Sequence, residues 1–416
     1  MTETASTTAD DSQRFSRAAL LAMLAGAAII SITMGLRQAM GVFQVPLTAD
    51  LDFGREGFAF AMAIQNLLWG LAQPFAGMLA DRFGAGRTLV LGGLVYTVGL
   101  IIMANAEGVG AVTFGGGVLI GFGLSGTSFA VVLGSVARLV SEQNRSMALG
   151  IATAGGSFGQ FLFAPLSQTF IDAWGWQNAL LVMAGIAALM ALMAHPLRGR
   201  AEGASTRAGG SCATGPVTIR GATGEAFRTR GYWLLLLGFF VCGFQVSFIS
   251  VHFPAYITDA GMLASVGAMA LGLIGLFNIV GTYVCGALGG RYSKKYLLSV
   301  LYFLRSIVFL WFLAAPKTET NVYIFASVLG LLWLGTVPLT SGLVAQIFGP
   351  RFMSTLFGFV FFSHQIGSFL GVWLGGYLYD RTGSYDPVWI AGIVFGVMAA
   401  VIHLPIREGA LRPAPA

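Results

Sequence analysis

Two arginines stand where a cation is costly. Arg37 closes the run Ile29-Ile30-Ser31-Ile32-Thr33-Met34-Gly35-Leu36, and Arg305 sits within Tyr302-Phe303-Leu304-Arg305-Ser306-Ile307-Val308. A charged side chain at the centre of a bilayer costs about 2.5 kcal/mol or more, so it requires a partner or a function. The 17 Asp and Glu of the chain all fall outside its apolar runs, so no buried carboxylate is expected to neutralise either arginine. Two chemistries remain. A guanidinium can grip an anionic ligand through paired N–H donors, or it can snorkel or bond backbone carbonyls. For Arg37, with the donor Gln38 beside it, both stay open, and substrate contact is the sharper expectation. For Arg305, about 15 Å along its helix from Lys295 by the rise per residue, carbonyl bonding or snorkelling is expected.

Histidine is the one remaining intramembrane group that titrates near neutrality. His252 and His364 lie inside apolar runs and could take a proton or contact substrate, although for each alone a hydrogen-bonded structural role is the leading expectation. His195 and His403 fall at span ends, at headgroup level. Polar candidates for a central cavity are Gln65, Ser125, Thr127, Ser128, Gln245, Asn278, Thr336, Thr340 and Ser341, besides Gln365, with Trp333 as an aromatic wall. Each of these alone also fits a helix-packing role. Pro165 and Pro338 interrupt helical bonding and fit a bend or a static kink. Cys212, Cys242 and Cys285 have neither metal-ligand nor disulfide spacing. No phosphate-binding glycine loop, nucleophile elbow or zinc motif stands out, so neither an enzyme nor a cofactor or metal site is expected.

The elements that position these residues follow from composition. Apolar residues make up 56% of the 416 and charged residues 10%, with a mean hydropathy of +0.79. That profile lies outside soluble domains and within polytopic membrane proteins. Windows of about 20 apolar residues, the length that crosses the hydrocarbon as a helix, predict twelve spans: 18–45, 57–79, 88–104, 112–137, 147–170, 178–197, 231–256, 264–289, 296–315, 322–347, 353–378 and 387–405. A barrel is excluded because the runs lack a period of two. The polar first 17 residues do not read as a cleaved signal.

Charge then orients the bundle. Of the 23 Lys and Arg, Arg55, Lys317 and Arg381 fall in loops on one side, Arg37 and Arg305 lie at depth, and all others lie on the opposite side. By the positive-inside rule both termini are cytoplasmic, in a bacterial inner (plasma) membrane. The basic balance thus reflects topology and anionic headgroups, without nucleic acid.

The only long loop, 198–230, is rich in Gly, Ala, Ser, Thr and Arg and reads as a flexible cytoplasmic linker. It separates six-helix halves at 18–197 and 231–405, flanked by tails at 1–17 and 406–416. A repeat supports two related halves. Gly77-Met78-Leu79-Ala80-Asp81-Arg82-Phe83-Gly84, closing the second span, recurs as Gly286-Ala287-Leu288-Gly289-Gly290-Arg291-Tyr292-Ser293, closing the eighth. Repeated halves around a central site are the architecture of secondary transporters.

The stretch Gly77 to Arg87 resembles the loop signature of the major facilitator superfamily, and span count, half-repeat and linker extend the resemblance over nearly the whole chain. It implies an all-α fold of two pseudo-symmetric six-helix halves. It also implies a cytoplasmic latch formed by Gly77, Asp81, Arg82, Gly84, Arg87 and Arg291, with Asp81 bonding the first amides of the eleventh helix near Ser354. The second half carries Gly290 where the first has Asp81, which implies a weaker second latch. Asn144-Arg145-Ser146-Met147-Ala148-Leu149-Gly150-Ile151-Ala152-Thr153-Ala154-Gly155, with Gly159 and Pro165, is similar to the monocarboxylate and oxalate transporter branch. So are Gly41-Val42-Phe43 and the turn Tyr379 to Tyr385. The branch's usual arginine on the eighth helix is replaced by Asn278, and its eleventh-helix lysine by His364 and Gln365, so neither lactate nor oxalate specificity is implied.

These readings converge on a monomeric secondary transporter of a small organic anion working by alternating access, with protons and the lipid bilayer as further expected partners. Its expected binding residues are Arg37, Gln38, Gln65, Ser125, Ser128, Gln245, His252, Asn278, Trp333, Thr336, Thr340, His364 and Gln365. Drug efflux is the alternative, weakened for cations by the lack of a membrane carboxylate. A solute sensor that binds without transport is the third reading.

Overall fold

The computed structural model describes residues 17–139, 142–197, 219–349 and 353–409. The first part of the linker, residues 198–218, lies outside them, as do the side chains of Asp81, residues 144–147 and Ser354. The cytoplasmic latch expected between Asp81 and the eleventh helix therefore falls outside the described residues.

Twelve membrane-spanning elements follow in order. Helix α1 runs through Arg17–Ala39, a 3-10 turn at Met40–Phe43 and Gln44–Asp50. Then come α2 (Arg55–Phe83), α3 (Ala85–Ala104) and α4, which is assembled from Val109–Val112, Thr113–Leu119, Ile120–Thr127 and Phe129–Leu139. Helices α5 and α6 share the stretch Glu142–Met193 and part at Gly175, whose φ of 79° reverses the chain. The second half comprises α7 (Arg230–Asp259), α8 (Ala264–Gly289), α9 (Lys294–Ala314), α10 (Glu319–Leu331 and Thr336–Phe348), α11 (Met353–Thr382) and α12 (Asp386–His403). Ten stretches are long and apolar enough to cross a bilayer. One of them holds both α5 and α6, and the 29-residue α2, diluted by Gln65, Asn66 and Gln73, completes the twelve.

Small residues set the packing. Gly155 and Gly159 of α5 face the backbone of Ala27 and Ser31 of α1, with no room for a Cβ. The corresponding pair in the second half obeys the same rule: Gly367 and Gly371 of α11 lie on the backbone of Phe240 and Phe244 of α7. In hydrocarbon no hydrophobic effect drives helices together, and close backbone approach at small residues supplies the van der Waals contact instead. The glycine spacing of the fifth span is thus explained by packing.

At the end of α2, Gly84 takes φ 94° and lets the chain enter α3 one residue later. Such a φ favours glycine. The repeat turn is built differently, since Gly290 is ordinary (φ −79°) and the Arg291 and Tyr292 amides close on Leu288 O at 2.9 and 2.8 Å. Arg82, Arg87 and Arg291 are all exposed there, and Gly77 has open space beside it.

Two departures from uniform spans matter for function. Helix α4 contains a π-helical stretch at Thr113–Leu119 and breaks at Ser128, whose ψ is 175°. Helix α10 breaks between Leu331 and Thr336, ahead of Pro338. These are the fourth helices of the two halves. In addition, Ile219–Arg228, inside the segment read as flexible linker, is helical. Ala226 is buried, and Phe227 packs edge-on against Tyr232, Trp233 and Phe359. That apolar face gives the short helix a docking surface on α7 and α11, which its high Gly and Arg content had concealed.

Candidate functional site

Arg37 lies where the halves meet. Its Nη2 donates to Asn66 Oδ1 of α2 at 2.8 Å and to Ser247 Oγ of α7, in the other half, at 3.4 Å. The guanidinium carbon stands 5.1 Å from the ring centroid of Trp69, a cation–π distance. Its Nε–H is buried and finds no acceptor among the described residues. No carboxylate contacts it: the ion pairs of the described residues lie elsewhere. Asn66 is itself fixed, since its Nδ2 donates to Met62 O at 2.8 Å, which turns Oδ1 towards the arginine. Trp69 continues the network by donating to Gln73 Oε1 at 3.0 Å, which also accepts from Ser128 Oγ at 2.7 Å. Gln73 Nε2 reaches Ser125 O at 3.4 Å, and Thr33 Oγ1 reaches Thr127 O at the same distance, so carbonyls beside the α4 break are satisfied from α1 and α2.

Arg305 has a different surrounding. Its Nε donates to Leu332 O at 2.9 Å, and Nη2 donates to Leu332 O at 2.6 Å and to Trp333 O. Its Nη1 reaches Gln245 Oε1 at 3.4 Å and Cys242 Sγ at 3.5 Å. These carbonyls are freed by the break in α10, and a cation at a helix C-terminus also meets the favourable end of its dipole. Asn278 of α8 holds the other edge of the break by accepting from Leu334 N at 3.1 Å, and its Nδ2 donates across the halves to Ser157 Oγ at 3.0 Å.

The remaining residues singled out by sequence divide between these networks and the packing. Gln65 points into its own half and donates to Gly116 O at 2.7 Å. Gln245 is engaged by Arg305 and donates to Gly392 O at 2.9 Å. Thr336 Oγ1 lies 3.2 Å from Cys242 Sγ, and Trp333 is fully buried behind the break. His364 is stacked on Phe361 with its Nδ1 3.4 Å from Ser368 Oγ. Thr340 Oγ1, Gln38 Nε2 and both amide atoms of Gln365 are buried without partners. Gln365 presses on Gly70, one turn along α2 from Asn66. Gln38 Oε1 accepts from Ser250 Oγ of α7 at 3.2 Å.

Asn66, Trp69, Gln73, Ser247 and Ser250 were not singled out by sequence. For Asn66 the signal was one residue away: Gln65 and Asn66 are adjacent, but about 100° apart on a helix, and the second faces Arg37. Gln245 and Ser247 divide in the same way between Arg305 and Arg37.

A second junction closes the end of the bundle opposite the start of α1 and the end of α12. The Asp380 carboxylate at the end of α11 accepts from the Arg55 and Glu56 amides at 3.0 and 2.8 Å. It thereby caps the start of α2, whose own N-cap is Gly54. Arg55 grips Asp259 of α7 at 2.5 and 2.6 Å, donates to Tyr385 Oη at 2.9 Å and lies 3.9 Å from the Tyr379 ring centroid. Arg381 reaches Glu56 at 3.5 Å. Hydrogen bonds between the halves thus run from mid-membrane to this distal end, through Asn278, Arg37, Gln38, Gln44 and Arg55.

Two helical halves with fourth helices broken at corresponding places and a polar seam at mid-membrane define a secondary-transporter fold. Residues 18–372 match the profile of the Major Facilitator Superfamily, and the chain belongs to that family. It is 25% identical over 389 residues to an uncharacterized MFS-type transporter, YcxA, of Bacillus subtilis (strain 168), covering 88% of this chain and 90% of that protein. It is 24% identical to monocarboxylate transporter 13 of Rattus norvegicus, over 90% and 86% of the two chains. Its fold is similar to that of a bacterial homolog of the human lysosomal transporter Spinster (TM-score 0.75, 14% identity, 95% and 98% covered). It is also similar to that of a D-xylose-proton symporter (TM-score 0.70, 13% identity, 94% and 99% covered). The protein is a multi-pass membrane transporter of this superfamily, and not an enzyme.

Proposed function

We propose that the protein carries a small organic anion of monocarboxylate type across the bacterial inner membrane, with both termini cytoplasmic, and that Arg37 is its main charge contact. The carrying observation is the state of Arg37. It is a half-buried cation at the seam of the halves, with neutral partners only among the described residues and a buried Nε–H unmet. A carboxylate there would supply the missing acceptor and the missing charge in one step. Gln38 Nε2 and the Gln365 amide are further unmet groups on helices bordering the seam. The resemblance to monocarboxylate transporters supports the substrate class, while the absence of the branch's eighth-helix arginine leaves the particular acid open.

The cycle is alternating access by rocking of the halves. With the termini inside, the seam and the Asp380 junction lie in the outer half and hold the outside shut. Outward opening breaks these bonds, and closure of the outer side restores them before the inside opens. Protons accompany the anion, carried by the substrate acid or by a histidine.

The test is uptake by proteoliposomes of labelled monocarboxylates, dicarboxylates, aromatic acids and one cationic dye. Saturable acid uptake that Arg37→Gln strongly reduces, in protein that is at least as stable as the parent, supports the assignment. Dye transport without acid uptake refutes it.

A further inference from the structure

We infer that His252 is a proton-binding site that controls the outer seam, with the neutral imidazole required for closure and the imidazolium favouring the outward-open state. The inference extends the transporter reading and does not depend on which anion is carried. His252 is fully buried near the distal end of α7. Its Nε2 lies 2.8 Å from Val372 O of α11, and a carbonyl can only accept, so Nε2 carries the proton. Its Nδ1 lies 3.2 Å from Gln44 Nε2 of α1 and takes that N–H on its lone pair. One neutral tautomer therefore joins the two halves, with Gln44 on one side and α7 and α11 on the other.

Protonation converts this fit into a conflict. An added proton on Nδ1 opposes the Gln44 N–H, donor against donor. Rotation of the Gln44 amide would offer Oε1, which is unpartnered, yet a charge would still be sealed from water. The groups around the ring do not neutralise it. Tyr385, before α12, lies tilted at 5.2 Å between centroids, and Phe248 of α7 lies at 5.7 Å. Helix α11 presents Gly375, which touches the imidazole edge, and, further along, Tyr379 and Asp380. Tyr379 packs against Tyr385 at a tilt, and Asp380 is held by the α2 amides. Helix α1 offers only Gln44. From α2 comes the cation Arg55, whose bidentate hold on Asp259 of α7 occupies that carboxylate. An unpaired buried charge is costly, and opening the seam to water relieves the cost. Acid outside therefore drives the seam open, and closure over the anion requires His252 to release its proton.

The experiment measures the distance across the outer seam by spin labels at Ala173→Cys and Ala260→Cys, both exposed positions, with Cys212, Cys242 and Cys285 replaced by Ala. The full chain is held in nanodiscs at pH 8 and pH 5. In the parent, the open-to-closed ratio is expected to rise at least tenfold on acidification. His252→Gln, which bonds both partners but does not titrate, is expected to stay closed at both pH values. Gln44→Glu, which faces Nδ1 with a carboxylate, is expected to keep the seam closed to lower pH than the parent. An unchanged pH response in His252→Gln overturns the inference. So does a response lost in Asp380→Asn alone, which would place the titration in the Asp380 junction. Should His252→Gln fail to fold, Gln44→Glu decides: a titration identical to the parent's overturns the proposal.

Discussion

Arg37 and Arg305 share a side chain, a depth and a lack of carboxylate partners, but differ in how their donors are met. Arg305 is saturated: two backbone carbonyls, an amide oxygen and a thiol take its N–H groups. Arg37 has one amide oxygen, one long contact to a hydroxyl and a buried Nε–H with no acceptor among the described residues. The first arginine completes a broken helix, and the second waits for a partner. Donor saturation, rather than depth or charge, is what separates a structural cation in a membrane protein from one suited to a ligand.

The sharpest way to break this contrast is to remove each guanidinium. Arg305→Ala strands the Leu332 and Trp333 carbonyls, and each unsatisfied buried acceptor costs about 1–3 kcal/mol. A loss of about 3 kcal/mol or more is expected, read as a large fall in melting temperature in detergent. Arg37→Gln should leave the melting temperature unchanged or higher, because it removes an uncompensated charge. Its expected loss is in anion uptake, by about 10- to 100-fold, the value of one bond to a charged group. If the stability losses were exchanged between the two variants, saturation would not be the deciding property.

Asn66→Asp sharpens the comparison further. A carboxylate at this position, on the arginine's nearest partner at 2.8 Å, forms the ion pair that the sequence avoids. The expected result is a more stable protein with anion uptake reduced about tenfold or more, since the pair competes with the substrate for the same N–H groups. Full uptake by a stably folded Asn66→Asp variant would show that the free charge of Arg37 is not used. The same competition makes a prediction for salt. Because the guanidinium is half-buried between the two halves at membrane depth, raising ionic strength should change uptake in the parent far less than Asn66→Asp does, whereas exposed charges are screened within about 10 Å at 0.1 M.

How much of this was legible beforehand depends on which physical signal each feature leaves. Spans and halves were readable because hydrocarbon imposes length and apolarity on every crossing helix, and the repeat at Gly77 and Gly286 marks the pseudo-symmetry. The carbonyl bonding of Arg305 was anticipated, but the acceptors were not, since no local pattern marks the break at Leu332 to Gly335. Pro338 drew attention to the right helix, yet the break precedes it. The helical phase of isolated polar residues was illegible too: Gln65 and Asn66 are equally polar, and only packing against α4 and α1 decides which one meets Arg37. The Asp380 cap on α2 joins residues 324 and 325 positions apart, and no periodicity reports a contact of that range.

Asn278 separates the two roles most finely, because it serves both the break and the seam. Its Oδ1 takes Leu334 N and Thr282 Oγ1, while its Nδ2 reaches Ser157 in the other half. Ser157→Ala removes only the bond across the halves, worth about 0.5–1.5 kcal/mol when both partners are neutral. It should shift the balance towards outward-open without loosening α10. Asn278→Ala removes both functions and should cost about 1–2 kcal/mol more in stability, for the stranded Leu334 amide. In Ser157→Ala, therefore, the melting curve should scarcely move while the distance across the outer seam broadens. Equal melting losses in the two variants would mean that the eighth-helix asparagine supports the seam alone, and that the α10 break rests entirely on Arg305.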